Sequence, residues 1–510
     1  MQYASISSEL LRGNNYFHFF DNGYPYLDKP PLLFWTTALF FRIFGISELV
    51  FRIPSIIFSL LTIYSTYKFS RLYYNKSVAM ISALILSSCL AFMVLNSDVK
   101  TDIFMIGPMM IAVWQLAQYF QKNHWKNLVF GFIGISFAMM GKGPLGMIIP
   151  ITVICIDLIM KKKIKQLNDF RLIFGIALVL LFLFPMSIGL YNQFGIRGLK
   201  FFYWDQSFGR ITGASSWNNE TGIFYLFNVF LYSFLPWTFI FLWAFVVQSK
   251  DIIMRNKSKL KPEIVSYVGF VVPTIFLSMS NYKLPHYIYC VLPFASIITA
   301  NKIVDWFKFE KDYKKIFFIQ IIILIFMLSM IYIFSIFSFE LGKYFFIPPI
   351  FIICIGVWLF YNKAPDEISR FLIPSIITSI LCSYGFNVGI LKSLMKYQAP
   401  SEAAKYILDQ KLDYDNIFLF KENEKAKSRS FNFYLNQNTE FVDEEFFENN
   451  KKEKLLIFTN EAGYKDILKR RHTIKILKSF EHVRVSKIKK EFINPSSRYI
   501  VLEKKYLLKI

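Results

Sequence analysis

Residues 316–338 read IFFIQIIILIFMLSMIYIFSIFS, 23 positions without a charged side chain. A helix crossing the hydrocarbon core of a bilayer takes about 20 apolar residues, so this stretch predicts a membrane span. Eleven others read the same way: 53–72, 77–96, 103–120, 127–141, 145–160, 171–191, 222–247, 263–280, 286–303, 345–361 and 370–391. About twelve spans are therefore expected. The fourth and fifth are short and parted only by Lys142-Gly143-Pro144, so they form either two short spans or a broken pair. Composition agrees: over 510 residues, 55% are hydrophobic, 19% aromatic and only 18% charged. Those values exclude a disordered chain, a coiled coil and an ordinary soluble enzyme.

The formal charge is +23, from 58 Lys and Arg against 35 Asp and Glu. In a soluble chain this would suggest nucleic-acid binding. Here most of the basic residues sit between apolar stretches and set orientation instead. One set of alternate loops carries 21 Lys and Arg, and the other carries seven, namely Lys100, Lys142, Arg197, Lys200, Arg210, Lys283 and Lys343. The richer set is predicted to be cytoplasmic. The poorer set, residues 1–52 and the tail are then extracytoplasmic. The five Cys all lie in apolar segments and the five His follow no metal-ligand spacing, so neither a disulfide framework nor a metal site is indicated.

Three regions follow. Residues 1–52 form a first outer loop with juxtamembrane helices: a helix-like run Tyr3–Leu11, a turn at Asp21-Asn22-Gly23, and an apolar piece from Leu32 too short to span. Residues 53–391 form the transmembrane bundle, with an outer loop at 192–221. Residues 392–510 form a small extracytoplasmic α/β domain, where charge density rises and short strand-like runs (416–420, 455–458, 499–502) alternate with helix-like pieces (402–410, 461–471).

The unusual polar residues gather on the outer side. Asp28-Lys29 precedes Pro30-Pro31, whose stiff extended backbone either aims Lys29 or merely shapes a turn with a snorkelling lysine. Asp98 and Asp102 are four apart and share a face if helical; alternatively Thr101 or Asp102 caps the third span. Lys142, between Gly141 and Gly143, faces an anion or anchors the interface. Asp205 and Arg210 lie among aromatics in the long loop, a texture that suits either sugar stacking or an amphipathic helix. Lys283 and Tyr287 open the ninth span. Together Lys29, Lys142, Arg210 and Lys283 place four cations on a side that otherwise avoids them, and a membrane-embedded phosphate is their simplest partner.

In order along the chain, YPYLDKPPLLFW (24–35), FGISELVFRIPS (44–55), DVKTD (98–102), GKGP (141–144), FGRITG (208–213), LPW (235–237) and YKLPHY (282–287) resemble the GT-C membrane glycosyltransferases. The nearest branch is the bacterial aminoarabinose transferase of lipid A, related to the protein O-mannosyltransferases. The motifs cover about residues 1–300. The resemblance implies a GT-C fold in a bacterial inner membrane. It also implies transfer of a sugar, with inversion, from a polyprenyl-phosphate donor to a lipid, glycan or protein acceptor at the outer face, with no metal required. It assigns Tyr3, Lys29, Lys142, Arg210, Tyr287 and, less directly, Lys283 to the donor phosphate, and Asp28 and Asp102 to assisting carboxylates. The family carries an Asp-Glu-x-x-Tyr pattern whose Asp is the proposed base. Tyr3 matches its Tyr, so the acidic pair would fall before Met1, and an upstream span is expected to be missing. An inactive relic and a lipid or sugar transporter are the alternative readings.

Overall fold

The computed structural model describes residues 1–13, 15–209, 219, 221–254, 263–309, 313–339, 341–364, 366–412, 417–422, 424–449, 455–470, 474–485 and 488–510. All twelve apolar stretches are helical. Among the described residues seven helices are long and apolar enough to cross a membrane: Glu48–Tyr73, Thr101–Lys122, Arg171–Phe194, Pro285–Lys308, Lys315–Ser338, Tyr344–Asn362 and Glu367–Met395. Lys76–Ser88 and Leu90–Ser97 make an eighth if counted as one span, bent by 54°. The remaining stretches form shorter or broken helices: Trp125–Lys142, Leu145–Met160, Tyr225–Ser233 with Thr238–Ile253, and Val265–Ser278. The stretch 222–247 is broken between Ser233 and Thr238, and Leu235-Pro236 is a cis peptide there. The Leu235 carbonyl accepts the Leu90 N–H at 2.9 Å, so the two interruptions satisfy each other's backbone.

The chain is a polytopic α-helical membrane protein. Lys315–Ser338 and Tyr344–Asn362 bury only 17% of their apolar windows within the fold, whereas Thr101–Lys122 buries 78%. The outer helices turn Leu, Ile and Phe outward, as a lipid-facing surface requires. The inner helices pack around one continuous apolar core.

Close packing rests on glycine around the Lys142 turn. A methyl group on Gly141 would lie 2.6 Å from the Phe104 carbonyl oxygen, so Trp125–Lys142 and Thr101–Lys122 touch backbone to backbone there. Gly143 turns the chain with φ +75°, which favours glycine. Gly146 lets Leu145–Met160 fold back against Ala138.

Ahead of the bundle, helix Gln2–Arg12 leads to a hairpin of β1 (Phe20–Asp21) and β2 (Tyr24–Pro25). Its two-residue loop, Asn22-Gly23, has φ of 57° and 79°, the positive values a tight hairpin turn needs. Glu9 accepts both loop N–H groups, at 2.9 and 2.7 Å. Helix Leu32–Phe44 then buries Leu33, Phe34, Ala38 and Phe41 and exposes Leu39, Ile43 and Phe44, as a short helix lying on the bundle should.

The C-terminal region is a small α/β domain. Strands β3 (Ile417–Phe420), β4 (Glu440–Val442), β5 (Leu456–Asn460), β6 (Lys475–His482) and β7 (Glu503–Lys509) form one sheet in the order β4-β3-β5-β7-β6. The first three are parallel, and β7 runs antiparallel to β5 and β6. Helices Ala399–Asp409, Glu424–Leu435 and Glu461–Arg470 flank it. One predicted strand is displaced. Residues Arg498–Ile500 form a 3-10 turn with Tyr499 and Ile500 exposed, and the strand begins at Glu503, where Tyr506, Leu507 and Leu508 can pack on the sheet.

Candidate active site

The Gly141 contact fixes the centre of the site. Because Gly141 meets the backbone at Phe104, the next residue, Lys142, falls beside Asp102 at the head of the neighbouring helix. Lys142 Nζ donates to Asp102 Oδ1. Asp102 is 1% exposed, so its charge is held by this pairing. Its other oxygen lies 3.6 Å from His286 Nε2. The Lys142 ammonium also sits 4.0 Å from the centre of the Tyr287 ring, within cation–π range. Asp102 is thus neither a helix cap nor a partner of Asp98 across a helix face. Asp98 lies outside the helix and pairs with Lys100 at 2.9 Å.

A cavity lies against this cluster. Lys29, Lys142, His286 and Tyr287 line it beside Thr101, Gln206 and Ser207, and Leu145, Ile148, Phe276 and Leu277 supply an apolar wall. Lys29 Nζ is 3.1 Å from Asp28 Oδ2. Gln206 reaches across from the segment Phe201–Gly209 to donate to the Asp28 carbonyl, tying that segment to the Asp28-Lys29 turn. Tyr3 packs edge-on against Phe34 at 5.9 Å. Burial first, then the nearby carboxylates of Asp28 and Asp102, push its hydroxyl well above its ordinary pKa, so Tyr3 stays a hydrogen-bond donor.

Of the residues singled out in the sequence, Lys29 and Lys142 meet at one cavity with Tyr287, and Asp102, Asp28 and Tyr3 stand around them. Lys283 is placed differently. It is buried, its Nζ donates to the Thr221 carbonyl at 2.8 Å, and its backbone exchanges hydrogen bonds with Asn219. Lys283 therefore ties the loop end at 219–221 to the 282–287 turn and does not line the cavity. Burial lowers the pKa of its ammonium. Arg210 lies outside the described residues. The sequence reading passed over His286, Gln206 and Ser207. His286 was legible as the neighbour of Tyr287 in the YKLPHY run; the other two carry no signal of their own. Among the described residues no group of three or more His, Cys, Asp or Glu is placed to hold a metal ion.

The fold is that of a class, the GT-C membrane glycosyltransferases. The structure superposes on crystal structures of ArnT from Cupriavidus metallidurans, bound to undecaprenyl phosphate (TM-score 0.73, 16% identity, 99% of this chain and 92% of that one) and in the apo state (TM-score 0.70, 94% and 90%). Residues 28–188 match the family model described as dolichyl-phosphate-mannose-protein mannosyltransferase. In sequence the chain is 26% identical over 312 residues to the undecaprenyl phosphate-alpha-4-amino-4-deoxy-L-arabinose arabinosyl transferase of Yersinia pestis. It is 25% identical over 302 residues to an uncharacterized protein of Aquifex aeolicus. The chain spans 54% and 58% of the lengths of these two relatives. The chain thus has the GT-C fold and is similar in sequence to an aminoarabinose transferase and, over residues 28–188, to the protein mannosyltransferase family model.

Proposed function

We propose that this protein is a glycosyltransferase that takes a sugar from a polyprenyl-phosphate donor at the outer face of a bacterial inner membrane and transfers it, with inversion, to an envelope acceptor. The observation that carries this reading is the convergence of Lys29 and Lys142 on one cavity whose other wall is apolar. A polyprenyl phosphate has that chemistry, an anionic head on a hydrocarbon tail. The relatives named above support the donor class; the acceptor is a lipid such as lipid A, a glycan or a protein hydroxyl.

The acceptor hydroxyl oxygen attacks the anomeric carbon as the bond from that carbon to the phosphate oxygen breaks. The phosphate leaves with the electron pair. Lys29 and Lys142 stabilise the charge that builds on it, and the partly dry cavity strengthens their effect. Tyr287 lines the same space. Asp102 is committed to Lys142, so it orients that ammonium. Among the described carboxylates, Asp28, whose side chain is 35% exposed beside Lys29, is assigned the role of assisting removal of the acceptor proton. No step is routed through a metal ion.

Purified protein in lipid, supplied with an undecaprenyl-phosphate-linked sugar and lipid A, tests the reading. New glycosidic product with release of undecaprenyl phosphate is expected, falling at least 100-fold in Lys29→Met. Substrate crossing the membrane with no new bond formed across a panel of acceptors contradicts it.

A further inference from the structure

The hairpin that leads into the Asp28-Lys29 turn is gripped from the far end of the chain. Arg429, on helix Glu424–Leu435, makes a forked contact with Asp21 of β1: Nη2 to Oδ2 at 2.6 Å, Nε to Oδ1 at 3.1 Å and Nε to Oδ2 at 3.2 Å. Both side chains are largely buried, at 20% and 13% exposure. Gln2 donates to the same carboxylate at 2.9 Å. One turn further along the helix, Asn432 donates to the Asn22 side chain at 2.7 Å. Phe433 enters an apolar seam with Ala4, Phe41 and Val50, and Tyr434 donates to Glu48. A two-point guanidinium–carboxylate contact fixes direction as well as distance.

From Asp21 the path to the cavity is short and stiff. Asn22-Gly23 closes the hairpin on Glu9. The Tyr26 N–H is bonded to the Phe19 carbonyl at 2.8 Å, and the Tyr26 ring is buried edge-on against Phe34 at 5.8 Å. Asp28 and Lys29 follow at once, ahead of two prolines. The other strand of the hairpin is held by Gln193, which exchanges hydrogen bonds with the Phe19 backbone at 3.0 and 2.8 Å. The hairpin is therefore clamped between the bundle and the C-terminal domain, and Lys29 hangs from its outgoing strand.

We propose that the Asp21–Arg429 ion pair is a latch by which the C-terminal domain sets the position of Lys29, making Asp21 and Arg429 positioning residues for the donor phosphate. This rests on the function proposed above for Lys29. The latch explains why a small domain, none of whose described residues lines the cavity, is fastened to the hairpin that leads to Lys29.

Amine-reactive labelling of the full-length protein in detergent, read residue by residue by mass spectrometry, tests the latch without turnover. Lys505, 4% exposed in the C-terminal domain beside Glu422, reports whether that domain stays folded. In Arg429→Gln, Lys29 labelling should rise at least threefold while Lys505 stays protected, and the charge swap Asp21→Arg with Arg429→Asp should return Lys29 most of the way to the wild-type rate. Lys29 labelling unchanged in Arg429→Gln with Lys505 protected overturns the proposal. If Arg429→Gln also exposes Lys505, Asp21→Asn decides by the same two readings, since Asp21 lies outside the domain. Protection of Lys29 by undecaprenyl phosphate in the wild type is a separate reading. Its absence would count against the proposed function of the cavity, whereas the unliganded labelling counts for or against the latch alone.

Discussion

Lys142→Met removes the cation from the buried pair and leaves Asp102, 1% exposed, without its direct ion-pair partner and with His286 at 3.6 Å. Breaking a buried ion pair on one side costs roughly 3–5 kcal/mol, most of it the penalty of an uncompensated charge. Lys142 is itself 16% exposed and its stem is replaced by a side chain of similar length, so packing loss is small and the lower end, about 3 kcal/mol, is expected. Adding Asp102→Asn removes the stranded charge and leaves one buried amide short of a partner, a residual cost of about 1 kcal/mol. The double variant should therefore be more stable than Lys142→Met alone, while transfer stays lost in both because the phosphate has lost a cation. Thermal unfolding in detergent, followed by the loss of monodisperse protein, gives the stability order; the transfer assay gives the rest. If Lys142→Met melts with the wild type, or if Asp102→Asn fails to recover any of its stability, the Lys142–Asp102 pair is not the buried unit described here.

Other outcomes follow from the same geometry. Gly141→Ala would put a methyl 2.6 Å from the Phe104 carbonyl oxygen, so the helices must part; transfer should fall at least tenfold, with Gly209→Ala, whose methyl would meet no described residue nearer than 3.7 Å, as the tolerated control. Gln206→Ala frees the turn that carries Lys29 and should lower the rate roughly tenfold with donor affinity moving alongside, measured by steady-state kinetics. Burial holds Tyr3, Tyr26 and Tyr434 above the ordinary value of 10.0. Their protons are kept in the folded state and lost from the unfolded chain as pH rises past about 10, so stability falls there. Tyr434→Phe should show a smaller drop in melting temperature between pH 9 and pH 11 than the wild type, and an equal or larger drop counts against the assignment.

Much of the bundle was readable because lipid leaves little choice: a long apolar run in a bilayer must be helical. Lys29 and Lys142 could be grouped because each sits on the cation-poor side, and Tyr287 joined them through the YKLPHY run that carries the resemblance. The limits are equally physical. Position along the membrane normal does not say which way a side chain turns, so Lys283 shared the right depth yet points to Thr221. The breaks at Cys89 and at Pro236 are held by a contact between them, which no local pattern encodes. The Asp21–Arg429 pair joins residues 408 apart, and neither flank marks the other. At the tail, the apolar run 499–502 satisfied a strand pattern, but pairing with β5 and β6 selected the following residues.

The central claim is that two lysines recognise the head of a lipid carrier while apolar side chains take its tail. Comparing the binding of undecaprenyl phosphate with that of undecaprenol isolates the phosphate, because the tails are identical. The wild type should prefer the phosphate at least tenfold, and Lys29→Met with Lys142→Met together should abolish that preference while leaving undecaprenol binding unchanged. A preference for the phosphate that survives the loss of both lysines would contradict the account.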